Sequence, residues 1–344
     1  MLTTVGPLGL GLGWRDELAG VALGRRDLRF VEVVAESVAA DRRLPVALEV
    51  LRRRGVAVVP HGVQLSLAGA ERPDPARLAA LAALAERVEA PLVSEHIAFV
   101  RAGGLEAGHL LPVPRTRAAL DVAVANVSAA MEALPIPLAL EPIAGLVEWP
   151  VPEMDEGDFV TELLERTGAL LLLDVANLYA NARNHGGDAM ALLDRLPLDR
   201  LAYVHVAGGI EADGVYHDSH AHPVPSGVLD LLRALADRRE VPAVMIERDA
   251  RFSCARELDG ELDAVSEAAR IGQLRSRSAG LLWRDRPPPR WVDAPKASRS
   301  RVAADQRALV CALVGGAEPP PGFDPGGLAA TAAVLAAKRR TACH

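Results

Sequence analysis

The stretch ALLLLDVAN at residues 169–177 is a run of apolar residues interrupted by a single acid, Asp174. A nearly continuous apolar run of this kind is typical of a parallel strand that is buried on both faces. Other such runs also end at or near a histidine or a glutamate: VAVVPHG (56–62), PLVSEHIAF (91–99), IPLALEPI (136–143), LAYVHVAG (201–208) and PAVMIERD (242–249). Because the C-terminal ends of parallel strands meet at one edge of a sheet or barrel, the pattern predicts a shared polar cavity.

Strand-like and helix-like segments alternate eight times before residue 275. We predict strands near 5–13, 30–35, 56–61, 91–98, 137–142, 169–176, 201–207 and 242–247. We predict helices near 15–25, 41–54, 75–89, 115–133, 156–167, 187–195, 226–239 and 255–274. This α/β alternation indicates a (β/α)8 TIM barrel. A doubly wound sheet is the alternative, but it would not place ligand-type residues on nearly every strand.

The composition changes after about residue 275, where the sequence becomes rich in proline and arginine. We predict a metal-dependent catalytic barrel over 1–275, a linker over 276–302 and a short helical C-terminal extension over 303–344. Two helices are expected in the extension, near 303–316 and 326–340. Two helices are too few to form an independent core, so we expect them to dock on the barrel or to help bind a peptide or a partner protein.

The chain is acidic, with a formal net charge of −7 and a pI near 5.8. Because no long basic run precedes the proline-rich part, this charge argues against nucleic acid as the main partner. Three isolated cysteines, Cys254, Cys311 and Cys343, argue against a disulfide framework and a thiolate zinc site. The N-terminal segment lacks the features of a signal peptide, and acids interrupt the longest apolar runs. We therefore expect a cytoplasmic protein that does not enter a membrane.

The polar residues at the predicted strand ends and in one loop form a candidate set of metal ligands: His61, His96, Glu141, Asp174, His205, Asp218, His220 and Glu247. Imidazole and carboxylate ligands without thiolates suit iron, manganese or zinc. A site with more than one ion needs clustered carboxylates to offset the added charge, and this set has enough for two or three ions. One such residue alone is often structural. Their occurrence together on successive strands favours a metal site, because unpaired buried polar groups are costly.

The segment YHDSHAHPVP at 216–225 contains a D-x-H pair, Asp218 and His220. In an extended loop, two residues at this spacing point to the same side and can bind one metal ion. Asn177 follows Asp174 by three residues and is close enough to share its metal.

Polar residues continue after this strand end. We expect Asn181 to cap a helix, since asparagine favours such positions. Asn184 and His185 precede two glycines and predict a loop that reaches over the barrel mouth. We expect these two side chains to shape the substrate site.

Several motifs occur in the order HGVQLSLAG, SEHIAF, LALEP, LLLDVANLYANARNHG, YVHVAGG, HDSHAHPV and MIERD over about residues 5–275. Together they resemble the DUF692 family, whose members are multinuclear non-heme iron-dependent oxidative enzymes. The family is similar in fold to the xylose-isomerase-like TIM barrels. It modifies ribosomally synthesised precursor peptides, typically at cysteine, with O2 as the oxidant. The resemblance therefore implies an enzyme that oxidises cysteine in such a peptide.

The resemblance also implies roles for the candidate residues. The eight ligands, together with Asn177, would bind two or three iron ions in mixed Fe(II) and Fe(III) states, with O2 as the co-substrate. Some family members have histidine at the position of Asn177. Asp218, His220 and His185 are expected to act in catalysis, and Asn184 and His185 to bind substrate. The implied partners are a cysteine-containing precursor peptide and a leader-binding partner protein, which the extension would help to dock.

Two other functions stay open at this stage. One is a zinc- or manganese-dependent hydrolase or isomerase on the same kind of barrel. Such enzymes need basic residues near the metals, whereas the two lysines, Lys296 and Lys338, both lie in the C-terminal part. The other is a non-enzymatic peptide-binding protein whose metals are structural.

Overall fold

The computed structural model describes residues 4–38, 43–252, 254–271, 281–282 and 291–342. Within these ranges, eight parallel strands close into a barrel: β1 Gly9–Gly13, β2 Leu28–Val34, β3 Ala57–His61, β4 Val93–His96, β5 Leu138–Glu141, β6 Leu170–Asp174, β7 Leu201–Val206 and β8 Ala243–Ile246. Each strand pairs with its neighbours in chain order, and β8 closes the barrel against β1. The predicted (β/α)8 barrel is therefore confirmed, and each predicted barrel strand is present.

Helices cover the outside of the barrel: α1 Ala19–Gly24, α2 Val46–Arg53, α3 Pro75–Val88, α4 Arg117–Ala133, α5 Glu156–Thr167, α6 Val175–His185, α7 Ala189–Leu193, α8 Ser226–Arg238 and α9 Ala255–Ala268. Two antiparallel hairpins extend the loops at the mouth: Phe99–Ala102 with Leu105–Leu111, and Ile210–Ala212 with Val215–His217. Short 3-10 turns precede α1 and follow β2, at Asp16–Leu18 and Ala35–Ser37. Thr4–Val5 pairs with Leu281–Leu282.

Local sequence signals explain where several helices begin and end. At the start of α3, the Asp74 carboxylate accepts a hydrogen bond from Ala76 N, and Pro75 occupies the first helical position. At the end of α5, Gly168 adopts a left-handed conformation with φ of 81°. Both boundaries agree with the predictions from sequence.

The barrel interior is apolar at its N-terminal end. Phe30, Val59, Leu172, Tyr203 and Met245 pack there as one buried cluster. Gly11 on β1 makes room for this packing, because a Cβ atom at that position would lie 2.3 Å from the Phe30 ring. Side chains two residues further along the strands point to the same interior but nearer the mouth.

The segment after β6 differs from the prediction. A loop was expected there, but residues 175–185 form α6, which Asp174 caps by accepting hydrogen bonds from Ala176 N and Asn177 N. Asn181 is therefore inside a helix and is not a cap. Its amide bonds Ile143 O and Gly145 N and so holds the loop after β5. The sequence gives little indication of this helix, because three asparagines in one short segment lower its helix propensity.

The C-terminal extension forms two helices, α10 Lys296–Gly315 and α11 Pro325–Ala342. The predicted linker is too long at its C-terminal end, since α10 begins seven positions before residue 303. The rest of the linker, apart from 281–282 and 291–295, lies outside the described residues, as does Cys343. Among the described residues, every helix is too short or too polar to serve as a transmembrane segment.

The extension packs directly on the barrel. Helix α10 lies against α4 and the first hairpin, and α11 lies against the same hairpin. Gln306 of α10 is fully buried, donates to Ala68 O and accepts from Ala70 N, each at 2.8 Å. Arg299 adds bonds to Ala70 O and to Asn126 Oδ1. The docking on the barrel that was expected for these helices is therefore present.

The Gln306 contact gives a test of this docking. We expect Gln306→Ala to lower the free energy of unfolding by about 2 to 3 kcal/mol, because two buried main-chain groups lose their partners. Chemical denaturation measures the change, and limited proteolysis should show faster cleavage within 296–342. Arg301→Ala on the same helix is the control, since its ion pair with Glu153 is on the surface and should contribute less than about 1 kcal/mol. Equal stability of the two variants would contradict the docking role.

Candidate metal centre

The eight predicted ligands lie together at the mouth of the barrel. Six of them lie at or near the C-terminal end of a barrel strand or directly after it: His61, His96, Glu141, Asp174, His205 and Glu247. The other two, Asp218 and His220, lie on the loop before α8. The parallel registers place His96 beside Glu141 and Asp174 beside His205. The structure thus brings together the set that the strand-end pattern predicted.

A simple strand rule explains this convergence. Val59, Tyr203 and Met245 fill the apolar interior. Two residues further along the chain come, in the same order, His61, His205 and Glu247. Because side chains alternate across a strand, residues two apart face the same way. The ligands therefore form the next interior layer, where the barrel opens.

The ligand atoms form a connected cluster within the described residues. Four groups each place their ligand atoms within 4.8 Å of one another: His61 with His96 and Glu141, Glu141 with Asp174 and His205, Asp174 with Asp218 and His220, and His220 with Glu247 and Asp249. Successive groups share one residue. The arrangement is therefore a chain of adjacent sites, which suits more than one ion.

The first group shows the geometry of such a site. The Nε2 atoms of His61 and His96 are 3.2 Å apart. They lie 3.5 and 3.4 Å from the same oxygen of Glu141, Oε2. Two imidazole nitrogens and a carboxylate oxygen thus converge, and this is the donor set that a divalent transition metal prefers.

Unpaired buried atoms supply an independent test of whether the residues fit a metal. Glu141 Oε2, Asp174 Oδ2, His205 Nδ1 and Asp218 Oδ1 are buried and have no hydrogen-bond partner. A buried polar atom without a partner costs on the order of a few kcal/mol. All four atoms belong to the candidate ligand set and are distributed over its first three groups. Cations bound in these groups would satisfy them, so the residues fit a metal centre.

The buried carboxylates of the cluster also shift the pKa values of two candidate ligands, His96 and Asp174. Burial alone would lower the pKa of His96, but the carboxylates of Glu141 and Glu95 raise it to about 9. Burial, together with the charges of Asp218 and Glu141, raises the pKa of Asp174 to about 7. Protons thus compensate the crowded carboxylates unless a metal does so.

Backbone strain marks one of the ligands. His220 has a positive φ of 50°, a conformation that residues other than glycine adopt rarely. The main chain is held there because Asp249 N donates to His220 O at 2.7 Å. The side chain of His220 is thereby directed to Asp218 and Glu247, at 2.8 and 3.2 Å.

The three remaining predicted residues lie at different distances from the cluster. Asn177 donates from Nδ2 to Glu141 Oε1 at 3.2 Å, so it contacts a ligand, and its own binding of metal stays a prediction. Asn184 lines the cavity and bonds both main-chain groups of Tyr216. His185 lies instead in a separate pocket, where Nε2 is 2.6 Å from Gly145 O. The structure therefore does not bring His185 to the ligand set, because helix α6 turns it away from the mouth.

Two acids near the ligands were missed. Asp249 follows Glu247 by two residues and joins the fourth group, and Arg15 forms ion pairs with both. Glu32 lies on β2, is 3% exposed and contacts His205. Both follow the two-residue rule, Glu32 after Phe30 and Asp249 after Glu247. That signal was available in the sequence.

A cavity of about 860 Å³ lies over the cluster. Its floor includes His61, Glu141 and Glu247, and part of its wall comes from Val334 and Lys338 of α11. The Lys338 ammonium donates to His109 Nδ1 at 2.9 Å. Burial and this ammonium lower the pKa of His109 to about 3, so its imidazole is neutral and accepts the bond. The C-terminal extension thus reaches the mouth of the barrel.

Comparisons with known proteins agree with this geometry. A family model described as "RiPP precursor modification enzyme MbnB/TglH/ChrH" matches residues 9–270, and one described as "SCO6045-like, C-terminal domain" matches residues 303–344. A protein of Streptomyces avermitilis named "UPF0276 protein" is 48% identical, over 98% of this chain and 79% of its own. A protein of the same name from Rhizorhabdus wittichii is 38% identical, over 72% of this chain and 88% of its own.

Among solved structures, the chain resembles a xylose isomerase domain protein from Planctomyces limnophilus. The TM-score is 0.51 with 15% sequence identity, over 78% of this chain and all of the other. At this identity the likeness concerns the fold alone, and it agrees with the xylose-isomerase-like barrel that was predicted.

The raised pKa values predict opposite effects of pH with and without metal. A group whose pKa is raised on folding stabilises the protein only while it is protonated. Stability from Asp174 is therefore lost as the pH rises from about 3.8 to about 7, and stability from His96 is lost as it rises from about 6.5 to about 9. Metal binding needs the same groups deprotonated and should strengthen over that window.

Thermal unfolding of chelator-treated and metal-loaded protein measures both trends. We expect the Tm of the treated protein to fall between about pH 6.5 and 9 and the gain in Tm on metal addition to grow. A Tm of the treated protein that rises over this range, or a metal effect that shrinks, would contradict the assignment.

Proposed function

The chain belongs to the family of RiPP precursor modification enzymes MbnB/TglH/ChrH, and from that premise we propose that it uses two or three iron ions and O2 to oxidise a ribosomally synthesised precursor peptide at cysteine. The family membership bears out the resemblance seen in the sequence motifs. The metal, the oxidant and the target residue are the proposed part.

One observation carries the proposal. Connected groups of imidazoles and carboxylates, with unpaired buried ligand atoms, lie at the floor of a cavity of about 860 Å³. Cavities of about 300 to 1,000 Å³ accommodate small ligands, so this one has room for a short segment of peptide. A purely structural metal site would be closed by its ligands, whereas this cluster lines an accessible space.

The first three groups would hold the ions, with Glu141 and Asp174 each shared between neighbouring groups. Iron bound there would supply one-electron chemistry with O2 and would bind and acidify the thiol of a substrate cysteine. Nitrogen and oxygen ligands without protein thiolates leave that thiol as the sulfur donor in the site. No side chain of the chain then has to act as a nucleophile.

The residues around the ligands orient them. Asp174 Oδ1 accepts from Ala176 N at 2.7 Å, and this bond turns Oδ2 toward the cluster. Asn177 fixes Glu141 in a similar way by donating to Oε1. Such contacts hold a ligand in the geometry that the metal needs and therefore support tight binding.

The wall of the cavity is suited to a peptide. Lys338 presents a cation beside the neutral imidazole of His109, and Asn184 holds the second hairpin through Tyr216. We infer that these groups contact the substrate near the reacting cysteine. A wall built by the chain's own extension needs no further protein to complete it, although a leader-binding partner protein can add to peptide binding elsewhere.

The zinc- or manganese-dependent hydrolase or isomerase is the second candidate, and one observation bears on it. Both lysines lie in the C-terminal part of the sequence, which favours a position away from the metals, but Lys338 lines the cavity. This lysine could serve an isomerase. The family membership favours peptide modification instead, and the metal and substrate experiments below distinguish the two.

Reconstitution with iron tests the proposal. We expect anaerobically iron-loaded protein to contain two or three ions per chain, to consume O2 and to change the mass of a co-expressed cysteine-containing precursor peptide. The same peptide with serine in place of cysteine is the control and should be left unchanged. Protein that retains only zinc and consumes no O2 with the cysteine peptide would overturn the proposal.

The loop ligands distinguish an enzyme from a peptide-binding protein. We expect the double variant Asp218→Ala with His220→Ala to lower turnover by at least about 100-fold, because one group loses two of its three ligands. His222→Ala on the same loop is the matched control, since that imidazole contacts Ser219 and Arg251 instead. Mass analysis gives the turnover and calorimetry the peptide affinity. Unchanged turnover in the double variant would contradict the assignment.

The two lysines of the chain provide a test of the cavity wall. We expect Lys338→Ala to raise the KM for the precursor peptide by about tenfold through loss of a contact worth about 1.4 kcal/mol, with unchanged metal content. Lys296→Ala is the control, because that residue begins α10 on the exposed surface. If both variants had the wild-type KM, Lys338 would not contact the substrate.

A further inference from the structure

A continuous line of hydrogen bonds runs beneath the metal groups, between two of the predicted ligands. His61 Nδ1 is 2.8 Å from Ser94 Oγ, which is 2.6 Å from Tyr203 Oη. The Tyr203 hydroxyl is 2.5 Å from Glu32 Oε2, and His205 Nε2 lies 2.9 Å from the same oxygen. All five side chains are buried.

The chemistry of the groups fixes the direction of each bond. The Tyr203 hydroxyl and the ring nitrogen of His205 both meet Glu32 Oε2, and a carboxylate oxygen accepts only. Tyr203 therefore donates to Glu32. Its oxygen is then free to accept from the hydroxyl of Ser94, and the Ser94 oxygen accepts from Nδ1–H of His61.

This ordering determines which nitrogen of each imidazole can bind a metal. His61 carries its proton on Nδ1, so the lone pair of Nε2 faces His96 and Glu141. His205 in the neutral form that binds a metal has its proton on Nε2, so Nδ1 faces Glu141 and Glu247 and is the atom left without a partner. In each imidazole, the nitrogen without a proton is the one directed to the metal groups.

We propose that Glu32 is a positioning residue that fixes the tautomers of both His61 and His205 through one carboxylate oxygen, directly for His205 and through Tyr203 and Ser94 for His61. The inference deepens the proposed function, since it rests on the metal centre assigned above. Glu32 does not contact substrate or metal in this role. It acts through the two ligands.

The position of these residues explains why the role falls to Glu32. Ser94 precedes His96 by two residues and Tyr203 precedes His205 by two, so both are the polar members of the layer beneath the ligands. Only the order that ends on a carboxylate leaves a lone pair of each imidazole facing the metal groups.

Cobalt(II) binding tests the inference without a peptide or O2. We expect Glu32→Ala to weaken two successive cobalt-binding steps by about 10- to 100-fold each, since both imidazoles lose their orientation. Tyr203→Phe should weaken one step only, because it breaks the line to His61 and leaves the bond between His205 and Glu32. Glu32→Gln should recover part of the affinity, because an amide oxygen can accept both bonds.

The titration is followed by the visible absorption of bound cobalt, and thermal unfolding confirms that each variant is folded. Tyr179→Phe is the matched control, since its ring packs against Tyr216 and Gly227 and lies outside the line. If Glu32→Ala does not fold, Ser94→Ala and Tyr203→Phe carry the test, and both should weaken the same single step.

The outcomes distinguish the metal centre itself from the positioning role of Glu32. Wild-type protein that binds no cobalt would overturn the metal centre and the positioning role with it. Wild-type binding, with folded variants of unchanged affinity and spectrum, would overturn the positioning role alone. A Tyr203→Phe variant that loses both steps would also contradict the division into two arms.

Discussion

The structure depends on the crowding of buried carboxylates at the mouth of the barrel. Glu141 and Asp174 are 2% and 1% exposed, and Asp218 and Glu247 lie beside them. Carboxylates whose ligand atoms lie within 4.8 Å of one another, as in the group that contains Asp174 and Asp218, repel strongly in a medium of low dielectric constant. A compensating positive charge is therefore required. Protons on the histidines provide part of this positive charge. Some carboxylate oxygens still have no hydrogen-bond partner, so these protons do not satisfy every carboxylate.

The barrel makes this crowding unavoidable. Parallel strands end at the same rim, and the alternation of side chains turns every second residue inward. An apolar layer of Phe30, Val59 and Met245 fills the lower part, and the next inward layer carries charges. Ser94 and Tyr203 lie at the boundary and connect the two layers by hydrogen bonds. The same packing that closes the core therefore aligns the candidate ligands.

Sequence reasoning succeeded where one local rule decided the outcome. Long apolar runs predicted the strands, and a polar residue at the end of each run predicted which side chains meet at the barrel mouth, as with His96 and Glu141. It failed where a tertiary contact decided. Helix α6 forms because Asp174 caps it and its apolar side packs on the barrel, although its asparagines favour a loop. The place of Lys338 at the cavity wall depends on α10 docking, which no local pattern reveals.

The C-terminal extension forms part of the cavity wall at the mouth of the barrel. The buried bonds of Gln306 and the packing of Phe323 against Trp149 hold both helices on the barrel. Because α11 is docked in this way, the main chain at Lys338 is placed at the cavity wall before a substrate binds, and a hydrogen bond to His109 positions its side chain. A separate protein would have to be recruited before it could supply the same contact. In this chain, the candidate metal groups and the part of the cavity wall that we propose contacts the substrate are therefore one covalent unit.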